Sequence, residues 1–296
     1  MIRRAIAIAV MVVAVGRTAL AQGAPVKADT ARLHQALDSL AGAHHGTVGY
    51  TVLDLGSGAR LTSKGDETFP TASLIKVAVL VTIFDLVNKG MLSLDDPLTV
   101  LRIDKVPGAG MLQFLHDGIA ITVRDAAWLM ATISDNTATN LLLDRIGIRA
   151  VWQKMESLGL PHSKIHAKVF KRETSVAPDS SVKYGLGVTT PNEMARLFEL
   201  MADGRAVSPR ADSVMLDILE HNDDDNLLQR LTGGARAAHK TGATDEVRTE
   251  CSLFYLATRV VACVFTNKNV DQRWALDSEA QLTMSRMGEV IVRSFR

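Results

Sequence analysis

Three short strings hold residue types that together do acyl-transfer chemistry. Ser73 is followed three positions later by Lys76, Ser134 opens the run Ser134-Asp135-Asn136, and Lys240 opens Lys240-Thr241-Gly242. A serine hydroxyl near a helix start is a nucleophile whose developing negative charge is favoured by unpaired backbone N–H groups. A lysine three residues on shares its helix face. In a low-dielectric cleft beside a second cation that amine loses its proton more easily, which suits it to deprotonate Ser73. Lys240 and Thr241 offer an ammonium and a hydroxyl to an anion, and Gly242 lets a strand approach a ligand closely. One Ser-x-x-Lys match is expected by chance in a chain of this length, but only about 0.04 Ser-Asp-Asn matches. The second and third strings, and their order, therefore carry the weight.

Positioning these residues requires a cleft between two kinds of structure. Leu33, Leu37 and Leu40 predict a helix from Asp29 or Thr30 to Ala43. Thr47–Leu55 alternates and ends at Gly56-Ser57-Gly58, with Arg60–Ser63 as the returning strand. Residues 71–90 have little polar face and read as a buried helix. Thr122 with Asp125 three residues on marks a helix start. Further helices are expected at Asn140–Ile146, Pro191 to about Ala202, Pro209–Leu219 and Leu276 to Ser294, with strands at Glu250–Leu256 and Val260–Thr266. Strands at both ends and helices between them predict an α/β fold of the α+β type. An antiparallel sheet is built from both termini and flanked by helices, a separate lobe is all helical, and the active site lies in the cleft between them.

Composition narrows the class. The chain has 296 residues, 47% hydrophobic and 22% charged, the balance of a globular protein with ample core. Arg3 and Arg4, the apolar run Ala5–Gly16 and Ala19-Leu20-Ala21 read as a secretory signal peptide cleaved after Ala21, leaving residues 22–296 as one catalytic domain in the periplasm or outside the cell. That cleavage removes three Arg and no acid, leaving 30 basic residues against 32 acidic ones. There is no basic excess to suggest nucleic acid or an anionic membrane as partner. Cys251 and Cys263 are the only cysteines. Two buried free thiols are the expectation, with a cross-strand bridge as the alternative, because a hairpin centred near Ala257 sets them roughly opposite.

The trio of strings is the signature of class A β-lactamases and penicillin-binding proteins, and the chain resembles class A serine β-lactamases from about residue 30 to its end. Val123–Ala127, Ser134–Leu143, Thr189–Ala195 and Ala238–Ala243 all look like family segments. The resemblance implies that Ser73 attacks a lactam carbonyl with the backbone N–H groups of Ser73 and Ala243 as oxyanion hole. It implies that Lys76 assists, that Ser134 passes a proton to the leaving nitrogen, and that Asn136 holds the substrate's side-chain amide. Lys240, Thr241 and Gly242 would receive its carboxylate. Arg248, eight residues after Lys240, is either a second carboxylate contact or a surface strand arginine. The resemblance further implies a small β-lactam as substrate and a monomeric protein, and implies no metal or organic cofactor.

The resemblance also implies a glutamate that activates water for deacylation, and Glu173 is the candidate, eighteen residues before Pro191. Its surroundings depart from the family pattern: Lys171 replaces Arg, Ala177 replaces Asn and Val188 replaces Asp. A slow-deacylating penicillin-binding peptidase or esterase is therefore the alternative to a β-lactamase, and a non-catalytic β-lactam-binding module is a third reading. Gly108-Ala109-Gly110 is a small, flexible stretch at the cleft mouth. His162 and His166 have zinc-pair spacing, but Ser163 stands where a zinc protease carries Glu, so they read as solvated histidines. His44-His45 reads as a helix C-terminal pair, and Asp223-Asp224-Asp225 as a solvated turn.

Overall fold

The computed structural model describes residues 29–296. The signal-peptide reading falls outside the described residues. Helices are α1 (Thr30–Gly42), α2 (Lys76–Asn88), α3 (Val123–Thr132), α4 (Asn136–Ile146), α5 (Ile148–Ser157), α6 (Pro178–Tyr184), α7 (Pro191–Ala202), α8 (Pro209–Glu220) and α9 (Glu279–Phe295). Strands are β1 (Thr47–Asp54), β2 (Arg60–Ser63), β3 (Phe69–Pro70), β4 (Pro97–Val100), β5 (Ile119–Thr122), β6 (Lys164–Ile165), β7 (Gly187–Thr189), β8 (Ala237–Thr244), β9 (Val247–Tyr255) and β10 (Arg259–Asn267).

Five strands form one antiparallel sheet in the order β2-β1-β10-β9-β8. The N-terminal hairpin thus lies beside the C-terminal meander, as the order of elements predicts. β1 and β10 are buried on both faces, and the period of two assigns each face its own core. Val260, Ala262 and Val264 point with Val48, Tyr50 and Val52 into a cluster shared with Leu33 and Leu37 of α1 and Met284, Met287 and Ile291 of α9. Val261, Cys263 and Phe265 point the other way, into a larger cluster that runs through α7 to α2 and the helical lobe.

α2 is the axis of that lobe. Every residue from Lys76 to Asp85 is buried, so the helix is surrounded by protein, with Lys76 and Asp85 the charged members of the run. Local signals fix the neighbouring starts. Thr122 and Asp125 form the reciprocal capping box of α3, and Thr190 caps α7 through the N–H of Glu193, with Pro191 at the first turn. Two small sheets, β3-β7-β6 and β4-β5, were not legible as strands. Each strand is two to four residues, below the length at which alternation shows. His44 and His45 do not cap α1; they bond Asn269 and Glu279, and so tie the end of α1 to the C-terminal region.

Cys251 and Cys263 face each other directly across β9 and β10. The structure joins them in a disulfide, correcting the expectation of two free thiols: directly opposite residues on one face bring their Cβ atoms within bridging range. The bridge spans 12 residues of sequence, a loop whose cross-link stabilises by about 2–3 kcal/mol. The double variant Cys251→Ala/Cys263→Ala should lose about that much unfolding free energy in urea melts at neutral pH, and the wild type with reductant should shift equally.

Candidate active site

Ser73 is the second residue of a 3-10 turn, Ala72–Ile75, that runs straight into α2. Its backbone N–H lies in the first turn, where helical partners are lacking. Ala72 just before it holds φ at 45°, a left-handed backbone that costs a non-glycine residue on the order of 1 kcal/mol and marks a position fixed by its surroundings.

Lys76 begins α2 and is 1% exposed. Its Nζ donates to the Ser134 carbonyl at 2.7 Å, to Ser134 Oγ at 3.2 Å and to Asn136 Oδ1 at 2.8 Å. Those are three acceptors for the three protons of an ammonium. Burial pushes its pKa well below the usual lysine value, the positive charge of Lys240 pushes the same way, and Asp135 opposes them. The Ser134-Asp135-Asn136 turn is held by its middle residue. Asp135 caps α4 through Ala138 N at 2.8 Å, and its other oxygen accepts the N–H groups of Met111 and Leu112 at 2.7 and 2.9 Å. Gly110 is required beside it, since a Cβ there would fall 2.2 Å from Asp135 Cγ. Ser134, at φ 57°, and Asn136 are thereby aimed together at Lys76.

The opposite wall is β8, an edge strand, so backbone groups along its free side lack a strand partner. A Cβ at Gly242 would lie 2.3 Å from Thr71 O and 2.7 Å from Leu74 N, so only glycine lets β8 pack against the turn carrying Ser73. Thr249 Oγ1 donates to Thr71 O at 2.8 Å and locks the same junction from β9. Lys240 is 1% exposed. Burial pulls its pKa down to about 8, against the nearby Asp224, Asp223 and Glu250. Its Nζ donates to Thr241 O at 3.0 Å, and Thr241 Oγ1 donates to Asp224 Oδ2 at 2.8 Å. His239 lies between Asp225 at 3.4 Å and Glu250 at 3.0 Å. Burial opposes its charge, yet the two carboxylates raise its pKa to about 9. The three aspartates are therefore more than a solvated turn: Asp224 and Asp225 face Thr241 and His239.

Ser73, Ser134, Asn136, Lys240, Thr241, Gly242 and Ala243 line one cleft of about 800 Å³, with Lys76 behind Ser134 and Asn136. Two sequence candidates do not join them. Glu173 is exposed on the 3-10 turn Arg172–Thr174 and does not line the cleft. The segment before that turn instead presents Ala167, Lys168, Val169 and Phe170 to the cleft. The reason lies in Asn140, which is one helical turn after Asn136 and 1% exposed. Its side chain donates to Val169 O at 3.0 Å and accepts from Val169 N at 2.7 Å. That clamp fixes Val169 at the cleft and leaves Glu173 four residues further along, facing solvent. Lys171 ties the loop to Ile103 O at 2.9 Å, and Lys168 pairs with Asp144 at 2.7 Å.

Arg248 is the second correction. It is neither a surface arginine nor a group lining the cleft: 2% exposed, it donates to the carbonyls of Thr244, Val247 and Arg273, with its guanidinium 4.5 Å over the Trp274 ring. Burial lowers its pKa, and carbonyl acceptors rather than a ligand stabilise its charge. His162 and His166 also part company, to Glu193 and to Gly185 O. Sequence reading missed the clamp on Val169, the role of Asp224 and the exposed Phe170. For Asn140 the signal was its spacing of four from Asn136, which places both on one helix face.

Comparison with known proteins identifies the family. The model of the β-lactamase enzyme family matches residues 32–295. A β-lactamase of Rhodobacter capsulatus is 25% identical over 256 residues, 83% of each chain. The crystal structure of a β-lactamase from Sphaerobacter thermophilus DSM 20745 superposes with a TM-score of 0.79 at 29% identity, covering 90% of this chain and 98% of that one. A mutant of PBP-A, solved as an acyl-enzyme complex with penicillin G, superposes with a TM-score of 0.79 at 28% identity, covering 90% and 96%. With the family match spanning nearly every described residue, this chain belongs to the β-lactamase enzyme family, as a serine hydrolase that acts on β-lactams.

Proposed function

We propose that the protein opens penicillins and cephalosporins by acylation of Ser73, and that hydrolysis of the resulting ester limits its turnover. One observation carries the acylation half: Lys76 is hydrogen-bonded to Ser134 and Asn136, 58 and 60 residues away, in a cleft that Ser73 and Lys240 also line. As an ammonium, Lys76 has every proton engaged. It takes the Ser73 proton only when neutral, the state that burial and Lys240 favour. The carbonyl oxygen becomes an oxyanion between the N–H groups of Ser73 and Ala243. Ser134, already bonded to Lys76, passes the proton to the ring nitrogen as the C–N bond breaks. Asn136 holds the side-chain amide with its free N–H, and Lys240 supplies the positive charge at the end of the cleft that a substrate's carboxylate reaches.

Val169 supports slow deacylation. The loop side of the cleft offers an apolar residue where water must be activated, and Glu173 faces away. The superposable PBP-A mutant was solved with penicillin G attached, so a penicillin acyl-enzyme is captured on a protein of this fold. The buried disulfide suits export to an oxidising compartment, in line with cleavage after Ala21 and a monomeric mature domain of residues 22–296.

Two outcomes test this reading. Intact mass should show a long-lived penicillin adduct on the wild type and none on Ser73→Ala. Glu173→Gln should leave adduct lifetime within about twofold, whereas Val169→Glu, which adds a carboxylate where Asn140 holds the chain, should shorten it by about 10²-fold or more, the usual scale of a positioned general base. A shortened wild-type lifetime that Glu173→Gln alone restores would return Glu173 to the mechanism. The acylation rate should also trace a bell against pH. It rises as Lys76 loses its proton and falls near pH 8, where Lys240 loses the charge that attracts a carboxylate. Lys240→Arg, charged throughout that range, should remove the falling limb.

A further inference from the structure

The anion-receiving end of the cleft already contains an anion of the protein's own. A threonine hydroxyl has one proton, and that of Thr241 goes to Asp224 Oδ2 at 2.8 Å. What Thr241 then offers to a ligand is lone pairs, which repel a carboxylate. Asp224 is built in rather than drifting in solvent. Its other oxygen accepts from Asn226 Nδ2 at 2.9 Å, and its backbone N–H donates to Asn222 Oδ1 at 3.1 Å. Asn222 in turn donates to Ala131 O at 2.8 Å, and Asp223 N donates to Thr132 O at 3.1 Å. The loop is thus moored to the end of α3, and Asp223 and Asp224 both line the cleft beside Lys240 and Thr241. Arg248, on the neighbouring strand, is spent on backbone carbonyls.

We propose that Asp224 is a specificity-determining residue. By holding the Thr241 hydroxyl and placing a negative charge at the anion subsite, it discriminates against substrates that bring a carboxylate there, and favours acyl compounds whose group at that end is neutral or cationic. This rests on the acyl-enzyme reading above, and it predicts a preference that reading alone does not. A substrate carboxylate must compete with Asp224 for Lys240 and Thr241, while an uncharged ester of the same compound need not.

The test compares penicillin G with its methyl ester, which share one lactam and differ only in the charge at this end. Second-order acylation rates are read from intact-mass time courses for the wild type, Asp224→Asn and Asp224→Ser, each checked by a thermal melt. The wild type should acylate with the ester at least as fast as with the acid. The acid-to-ester ratio should rise tenfold or more in each folded variant. A wild type that prefers the acid by more than tenfold, or a ratio unmoved by substitution, overturns the role of Asp224 while leaving acylation of Ser73 intact. Absence of any adduct from either compound, in wild type and variants alike, overturns the acyl-enzyme reading and this inference with it.

Discussion

The buried ammonium of Lys76 is the constraint on which the site is organised. Burying an isolated charge is expensive, and the penalty falls away only where the group is surrounded by acceptors or gives up its proton. Three acceptors come from one short turn, Ser134 to Asn136. That turn belongs to the helical lobe, and Lys76 belongs to the helix running through the middle of the molecule. The interaction therefore does two things at once. It fixes the distance between nucleophile and proton relay, and it leaves Lys76 poised between charge states, because Lys240 lies close enough to disfavour the cation. A structural salt bridge would supply a neighbouring carboxylate in direct contact. Here the contacts are neutral oxygens, and Asp135, the acid that favours the charge of Lys76, is occupied by backbone N–H groups.

Strain is concentrated around this centre. Among the described residues, five non-glycine positions have positive φ, and three of them, Ala72, Ser134 and Phe170, line the cleft. Such backbones cost on the order of 1–3 kcal/mol each and persist only where surrounding structure over-determines them. At Ala72 the determinant is visible: β8 presses against the turn at Gly242, and Thr249 ties β9 to Thr71. At Ser134 it is the cluster of bonds to Asp135. Stability from the two large cores is thus used to hold three backbone positions that local preference disfavours, the usual relation between scaffold and site.

The parts of this architecture that were legible in sequence are those written in local chemistry. Thr122 with Asp125, and Thr190 with Pro191, name helix starts because a cap is a local hydrogen bond. Ser73 with Lys76 names a shared face because helical spacing is fixed. Ser134 and Lys240 were assignable by kind, while their convergence on Lys76 is a tertiary fact. Side-chain direction in the irregular loop was not legible. From Lys168 to Glu173 no periodicity operates, so spacing to Pro191 pointed at Glu173 while the clamp by Asn140 put Val169 at the cleft. Arg248 failed for a related reason. Eight residues beyond Lys240 it does lie on the neighbouring strand, opposite Ala243, but strand register says nothing of which carbonyls a long side chain reaches. The cysteines erred the other way: a hairpin already implied their opposition, and general burial statistics outweighed the geometry.

The electrostatics of the cleft follow from the order of these contacts along β8. His239, Lys240 and Thr241 are consecutive, and alternation sends Lys240 to the opposite face of the strand from the other two. Lys240 therefore turns toward Lys76, and their mutual repulsion lowers the proton affinity of Lys76. His239 and Thr241 turn toward the loop of Asp224 and Asp225 and the buried Glu250. On that face cations and acids are matched, with His239 raised to about 9 by its two carboxylates. One strand thus carries both the cation whose repulsion tunes Lys76 and a charge-balanced set that faces a ligand at the same cleft. Asp224 reaches across this division of faces, because its carboxylate supports the charge of Lys240, so its removal makes Lys240 easier to deprotonate as well as freeing the Thr241 hydroxyl. Dividing the acid rate by the ester rate cancels what the two compounds share, so the ratio, rather than either rate alone, reads the role of Asp224.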